Sequence, residues 1–214
     1  SGSGTTALVF RHTVLAGDND ANGIVVVSPL ALNSGTIQDA AGNNATLAFT
    51  APNTSSVLVD TTAPAISSVT GPASGSYRAG QNLDFTVIYS EAVVVDTTLG
   101  PPVLDLTVGA TARTATYVSG SGTTVLLFRH TVVAGDTDAN GIVLVSPVRL
   151  IDATIKDTAG NNGGLTFTAP STSGVLVDTT APAIVGVTGP ANGTYGSGDT
   201  LDFTVTYGEN VTVS

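Results

Sequence analysis

The sequence predicts an all-β fold of tandem sandwich domains, and three observations carry that prediction. There is a gapless internal repeat of 118 residues, there are runs of alternating apolar and polar residues, and no apolar pattern of helical period survives between the Gly and Pro breakers. At the repeat offset Ser1 aligns with Ser119, Phe10 with Phe128, Asp60 with Asp178, Tyr77 with Tyr195 and Glu91 with Glu209. Of the 96 comparable pairs, 66 are identical. Solenoid units repeat every 20 to 50 residues and cannot fold alone, whereas 118 residues is the size of an independent domain. The segment Val57 to Pro64, matched by Val175 to Pro182, reads as a short strand running into a Pro-bearing junction, and it sets the expected phase. On that phase residues 1–56 are the C-terminal part of one repeat, 57–174 form a complete repeat, and 175–214 open the next. The flanking parts together lack a counterpart of Thr97 to Val118.

The strands follow in order. Ile66 to Thr70 is short and apolar at its ends. Leu83 to Tyr89 alternates cleanly, with Leu83, Phe85, Val87 and Tyr89 on one face, and Leu201 to Tyr207 repeats the pattern. Val103 to Val108 and Ala112 to Val118 follow, and then Val125 to Val132, which puts Leu126, Phe128, His130 and Val132 on one side and Arg129 and Thr131 on the other. Between the last two, Tyr117 to Thr123 reads as a hairpin, with Gly120 and Gly122 free to take positive φ. Ile142 to Val145 and Leu165 to Thr168 complete about eight short strands per repeat, a sandwich pattern. Helix is expected to be minor.

Composition narrows the partners. Asp and Glu outnumber Lys and Arg by 16 to 6, for a formal net charge of −10. Phosphate recognition needs clustered Lys and Arg, so nucleic acid is not expected as a partner. Divalent cations suit this charge better. Without cysteine there are no disulfides, thiolate metal sites or Cys nucleophile. No apolar run reaches the roughly 18 to 20 residues of a membrane helix, so no membrane span is expected in this segment.

Two segments match the first half of a calcium loop, D-x-[DN]-x-[DN]-G. They are Asp18-Asn19-Asp20-Ala21-Asn22-Gly23 and Asp136-Thr137-Asp138-Ala139-Asn140-Gly141. Alternate oxygen-bearing side chains can converge on a hard cation while glycine makes the turn. A helix-loop-helix hand also needs a bidentate Glu at the twelfth position, where Pro29 and Pro147 stand, so that form is excluded. The alternative is a solvated turn, for which Asp, Asn and Gly are favoured without an ion. Further acidic positions are Asp39 and Asp157, each in an Asp-x-Ala-Gly-Asn run, and the junction residues Asp60 and Asp178, which could share a cation with a neighbouring loop. Glu91 and Glu209, the only glutamates, read as surface carboxylates at strand ends, and His12 and His130 as structural histidines. No G-x-S-x-G, Gly-rich phosphate loop or paired-His zinc motif occurs, so no catalytic constellation is expected and the chain is read as a non-enzyme.

Several motifs recur in one order: Asp-Thr-Thr-Ala-Pro-Ala at 60–65 and 178–183, Leu-Asp-Phe-Thr-Val at 83–87 and 201–205, Gly-Asp-x-Asp-x-Asn-Gly-Ile at 17–24 and 135–142, and Asp-x-Ala-Gly-Asn at 39–43 and 157–161. Together they resemble the bacterial Ig-like tandem repeats of large secreted adhesins and cell-surface fibres. The resemblance implies immunoglobulin-like β-sandwiches, an extracellular, cell-surface or secreted location, and calcium ions that stiffen loops and junctions. The ligand candidates it implies are Asp18, Asp20, Asn22, Asp39 and Asp60, with Asp136, Asp138, Asn140, Asp157 and Asp178. The expected role is that of structural or extender repeats whose partners are neighbouring repeats of the same chain. Two alternatives are a filament subunit that forms a homopolymer by strand exchange, and a module that binds a surface glycan or protein. The most divergent block between copies, Ala31 to Gly35 against Arg149 to Ala153, is where a binding module would vary.

Overall fold

In a computed structural model that describes residues 1–213, the chain is all-β, and the described residues contain no helix. The strands are β1 (Ile66–Thr70), β2 (Gly75–Tyr77), β3 (Asn82–Asp96), β4 (Pro102–Val108), β5 (Thr111–Ser119), β6 (Thr123–Thr131), β7 (Thr137–Asp138), β8 (Val143–Leu150), β9 (Thr154–Lys156), β10 (Val175–Asp178), β11 (Ile184–Thr188) and β12 (Thr204–Tyr207). One sheet runs β1-β3-β6-β5-β4-β8, with β9 paired to the far end of β3. A second, of three strands, runs β2-β10-β7, and β11 pairs with β12 separately.

The alternation read from the sequence determines which side chains meet. Leu83, Phe85, Val87 and Tyr89 of β3 are buried while Asp84, Thr86 and Ile88 between them are half-buried, and β6 buries Leu126, Phe128 and His130 in the same way. The antiparallel register sets Leu83 against His130, Phe85 against Phe128 and Val87 against Leu126. A shift of one residue would turn every one of these side chains outward, so burial itself enforces the register. Leu104, Leu106 and Val108 of β4, Val148 of β8 and Val175 and Val177 of β10 join them in one contiguous core. On the opposite face Arg129 donates to Asp84 at 2.6 and 2.7 Å, and Arg149 to Asp105 at 2.6 and 2.8 Å. Each arginine lies across a strand pair from its carboxylate, so these bridges tie neighbouring strands together.

The hairpin between β5 and β6 forms as expected, with Gly120 at φ 112° and Gly122 at φ 84°. Three features differ from the sequence reading. Leu165 to Thr168 is not a strand; it lies against β8 through Val148 N–H to Leu165 O and Phe167 N–H to Ser146 Oγ, its bonding split between backbone and side chain. β3 continues to Asp96, where Val94 to Asp96 pair with β9, beyond the alternating run that ends at Tyr89. Finally, Val175 to Asp178 pairs with β2 and β7 and buries Val175 and Val177, so this strand closes the domain before it rather than opening the next. Val57 and Val59 behave alike, bonding to Ile24 and Asp20 of the preceding stretch.

Removing a ring from the centre of this core measures how far the domain depends on it. Phe128→Ala is expected to cost about 3–5 kcal/mol through lost burial and an unfilled cavity. The check is the guanidinium unfolding midpoint of the chain compared with that of Val143→Ala, whose side chain is exposed and whose change should be small.

Candidate cation site at the repeat junction

The segment joining one repeat to the next is fastened from both sides. On the side of the preceding repeat, Thr61 N–H donates to Asn19 Oδ1 at 2.8 Å, Thr61 Oγ1 donates to the Asp18 carbonyl, and Gly17 N–H donates to Thr61 Oγ1. On the following side, Asn161 Nδ2 donates to the carbonyls of Asp60 and Thr62 at 3.2 and 3.3 Å, and Gly164 N–H donates to Pro64 O at 2.7 Å. The next junction repeats the first half of this scheme: Gly135 N–H donates to Thr179 Oγ1, which donates to Asp136 O.

At the first junction three carboxylates converge. One oxygen from each of Asp60, Glu91 and Asp157 lies within 4.8 Å of the others, the one such group of three or more among the described residues. Their positions follow from the fold. The β3–β6 register breaks between Ile88 and Val93, which frees the stretch around Glu91 from that ladder, and the pairing of Val94 with Lys156 brings the loop after β9, with Asp157, alongside it. Asp60 arrives from the linker. Asp20 of the preceding repeat lines the same cleft as Asp60, and at the next junction Asp138, Asp178 and Glu209 line one cleft together.

The electrostatics of the three differ. Partial burial and then the negative charges of Asp60 and Asp157 push the Glu91 carboxyl above its ordinary value. Asp157 is buried, which opposes its ionisation, but N–H donors from Asn161, Gly160 and Ala159 outweigh burial and hold it below the usual range. Three anionic groups so close repel one another, and a hard divalent cation that prefers carboxylate and carbonyl oxygen would relieve that repulsion.

Of the ten ligand candidates from the sequence, Asp60 and Asp157 are brought together, and the third member, Glu91, was read as an ordinary surface carboxylate. Its clue was recurrence: the only two glutamates occupy equivalent positions in successive repeats. The other candidates serve local structure. Asp136 is fully buried and receives Arg113 Nε and Nη2 at 2.9 and 2.7 Å and the Val133 N–H at 3.1 Å, with His130 Nε2 at 3.5 Å. Asp138, also buried, accepts N–H groups from Gly109, Asn140 and Gly141. Asp18 receives Leu15 N–H and pairs with His12, Asp20 receives Asn22 N–H, Asp39 receives Ala41 and Asn43, and Asp178 receives Thr180 N–H. Asn22 and Asn140 are exposed and enter these turns through their backbone N–H groups. The loop glycine has a packing reason independent of any ion, since a Cβ on Gly141 would stand 2.4 Å from Ser173 Cα, and one on Gly23 2.5 Å from Ser55 Cα.

No family model, curated protein or solved structure matches the chain.

Asp136 generates a pH prediction. Burial disfavours its ionised form, but the Arg113 bond and the Val133 N–H prevail and leave the carboxyl below its model value of 3.8. A depressed folded-state value means that the stabilisation is full above the unfolded value and is lost as pH falls through the folded one. Asp136→Asn is therefore expected to lower stability at pH 7 by about 3 kcal/mol, leaving Arg113 without its anion, and to flatten the acid limb of the stability curve below about pH 4. Denaturant midpoints measured from pH 7 down to acid check both effects.

Proposed function

We propose that the chain is a run of Ig-like repeats from the structural or extender region of an extracellular bacterial adhesin or surface fibre, with calcium bound at the repeat junctions. The observation that carries this reading is the linker from Val59 to Ala65, held by side chains and backbone of both flanking repeats beside the group of Asp60, Glu91 and Asp157. A linker bonded on both sides transmits orientation from one domain to the next, which an extender needs and an isolated binding module does not. The junction residues recur at 178–183, and repetition serves reach and multivalency. The reading assigns no catalytic role to any residue.

Calcium would bind Asp60, Glu91 and Asp157 through carboxylate oxygen. Thermal unfolding in calcium and in excess chelator tests this. An ion that binds only the folded state, present at 100 times its Kd, adds about 2.7 kcal/mol, a rise of several degrees in midpoint. Glu91→Gln removes one ligand and one of three repelling charges, so this variant should unfold at a higher temperature than the parent in chelator and lose the response to calcium. An unchanged midpoint in the parent would remove calcium from the proposal. Small-angle scattering tests the extender role separately: calcium should narrow the spread of maximum dimension, and Asn161→Ala should widen it.

A further inference from the structure

The geometry points to an interface between copies of this chain, in which residues 1–59 of one copy cover the apolar face presented by residues 184–213 of another, in the register of β3 on β6. The closed domain supplies the template. β11 and β12 pair as β1 and β3 do, Ile184 against Tyr207 where Ile66 meets Tyr89, with the same register shift at the next position. Gly208 N–H donates to Ala183 O just as Ser90 N–H donates to Ala65 O. Residues 1–59 keep the local bonds of their counterparts: Phe49 N–H to Ser28 Oγ matches Phe167 N–H to Ser146 Oγ, and Thr54 Oγ1 to Ile24 O matches Thr172 Oγ1 to Ile142 O. Each segment thus holds half of a domain in its native local form.

What each half lacks is the other. Phe203 is 68% exposed where its counterpart Phe85 is fully buried, and Phe10 is 69% exposed where Phe128 is fully buried. Leu8, Phe10, Val26, Leu30, Ile37 and Phe49 line one apolar cleft. Charge agrees with shape. Within the closed domain Arg129 grips Asp84, while their counterparts Arg11 and Asp202 make no ion pair among the described residues. Transposing the β3–β6 register sets Phe203 against Phe10, Val205 against Leu8, Leu201 against His12 and Asp202 against Arg11. The occupant is a second copy because this chain itself carries both complementary surfaces. Neither segment supplies counterparts of β4 or most of β5, so the joined unit is closed along β3–β6 and open toward β8. Head-to-tail contacts of two different surfaces grow into open chains or rings.

Sedimentation velocity of the 214-residue chain in excess chelator, across low to high micromolar concentration, tests the interface apart from the calcium reading. Growth beyond the dimer is expected. Phe10→Asp and Phe203→Asp should each weaken association by about a hundredfold, from the loss of one buried ring. Mixed together, these two variants keep one intact face each and should stop at the heterodimer. Arg11→Asp and Asp202→Arg should each weaken association, and the doubly substituted chain should regain it. All four positions lie outside the closed domain, so an unchanged unfolding midpoint of that domain confirms that each variant is folded. A chain that stays monomeric throughout, or that associates equally well with Phe10→Asp, overturns the inference.

Discussion

The pairing of β3 with β6 is the constraint on which the rest of the structure depends. It sets Phe85 opposite Phe128 and Val87 opposite Leu126, and it joins β1 on one side to the β5-β4-β8 run on the other. The strands are more than twenty-five residues apart in sequence, so the ladder forms only by closing a long loop, and its hydrophobic face must offset that entropy. Where the ladder breaks between Ile88 and Val93, β3 is released to pair with β9. That break puts Glu91 beside Asp157. The acidic junction is therefore a by-product of how the core strand changes partners, and it cannot be moved without re-registering the core.

The same dependence explains why most of the Asp-rich loop is not free for an ion. Asp136 lies where β6 runs out and meets Arg113 from β5, so its charge is already compensated within the domain. Asp138 belongs to β7 and organises three backbone N–H groups around its carboxylate, which satisfies donors that would otherwise be buried and unpaired. Asp60, Glu91 and Asp157 differ in having no cationic side chain among their partners. Neighbouring carboxylates and burial raise Glu91, and hydrogen bonds alone lower Asp157. Anions compensated by fixed arginines stabilise one domain; anions left uncompensated at a linker are those that an added cation can act on.

How much of this was legible in the sequence depended on the range of the signal. Period-two alternation is local, so β1, β4, β5, β6 and the buried set Leu83, Phe85, Val87 and Tyr89 could be read directly. The short strands β2, β7 and β9 carry no alternation because they exist only through partners far away in the chain. The site shows the same limit. The motif D-x-D-x-N-G looked like a cation loop because turns and ion loops draw on the same residues. Its glycine is required by the close approach of the Thr172–Ser173 backbone, which no local pattern reveals. Glu91 had no motif around it, and only the repeat singled it out.

Near-identity of repeats carries a cost that the junction helps to contain. If residues 1–59 can take the place of 119–178 on a β3-like strand, then within an array each half-domain has many acceptable partners, and mispairing competes with correct folding. Partners in the same domain act at an effective concentration on the order of millimolar, far above that of a separate molecule. A linker bonded from Thr61 to Asn19 and from Asn161 to Asp60 fixes each domain against its own neighbours and favours the local pairing further. Association between copies then prevails only where a face has no covalent neighbour to cover it. The same β3–β6 chemistry thus closes a domain within a chain and, at an uncovered face, joins one chain to the next.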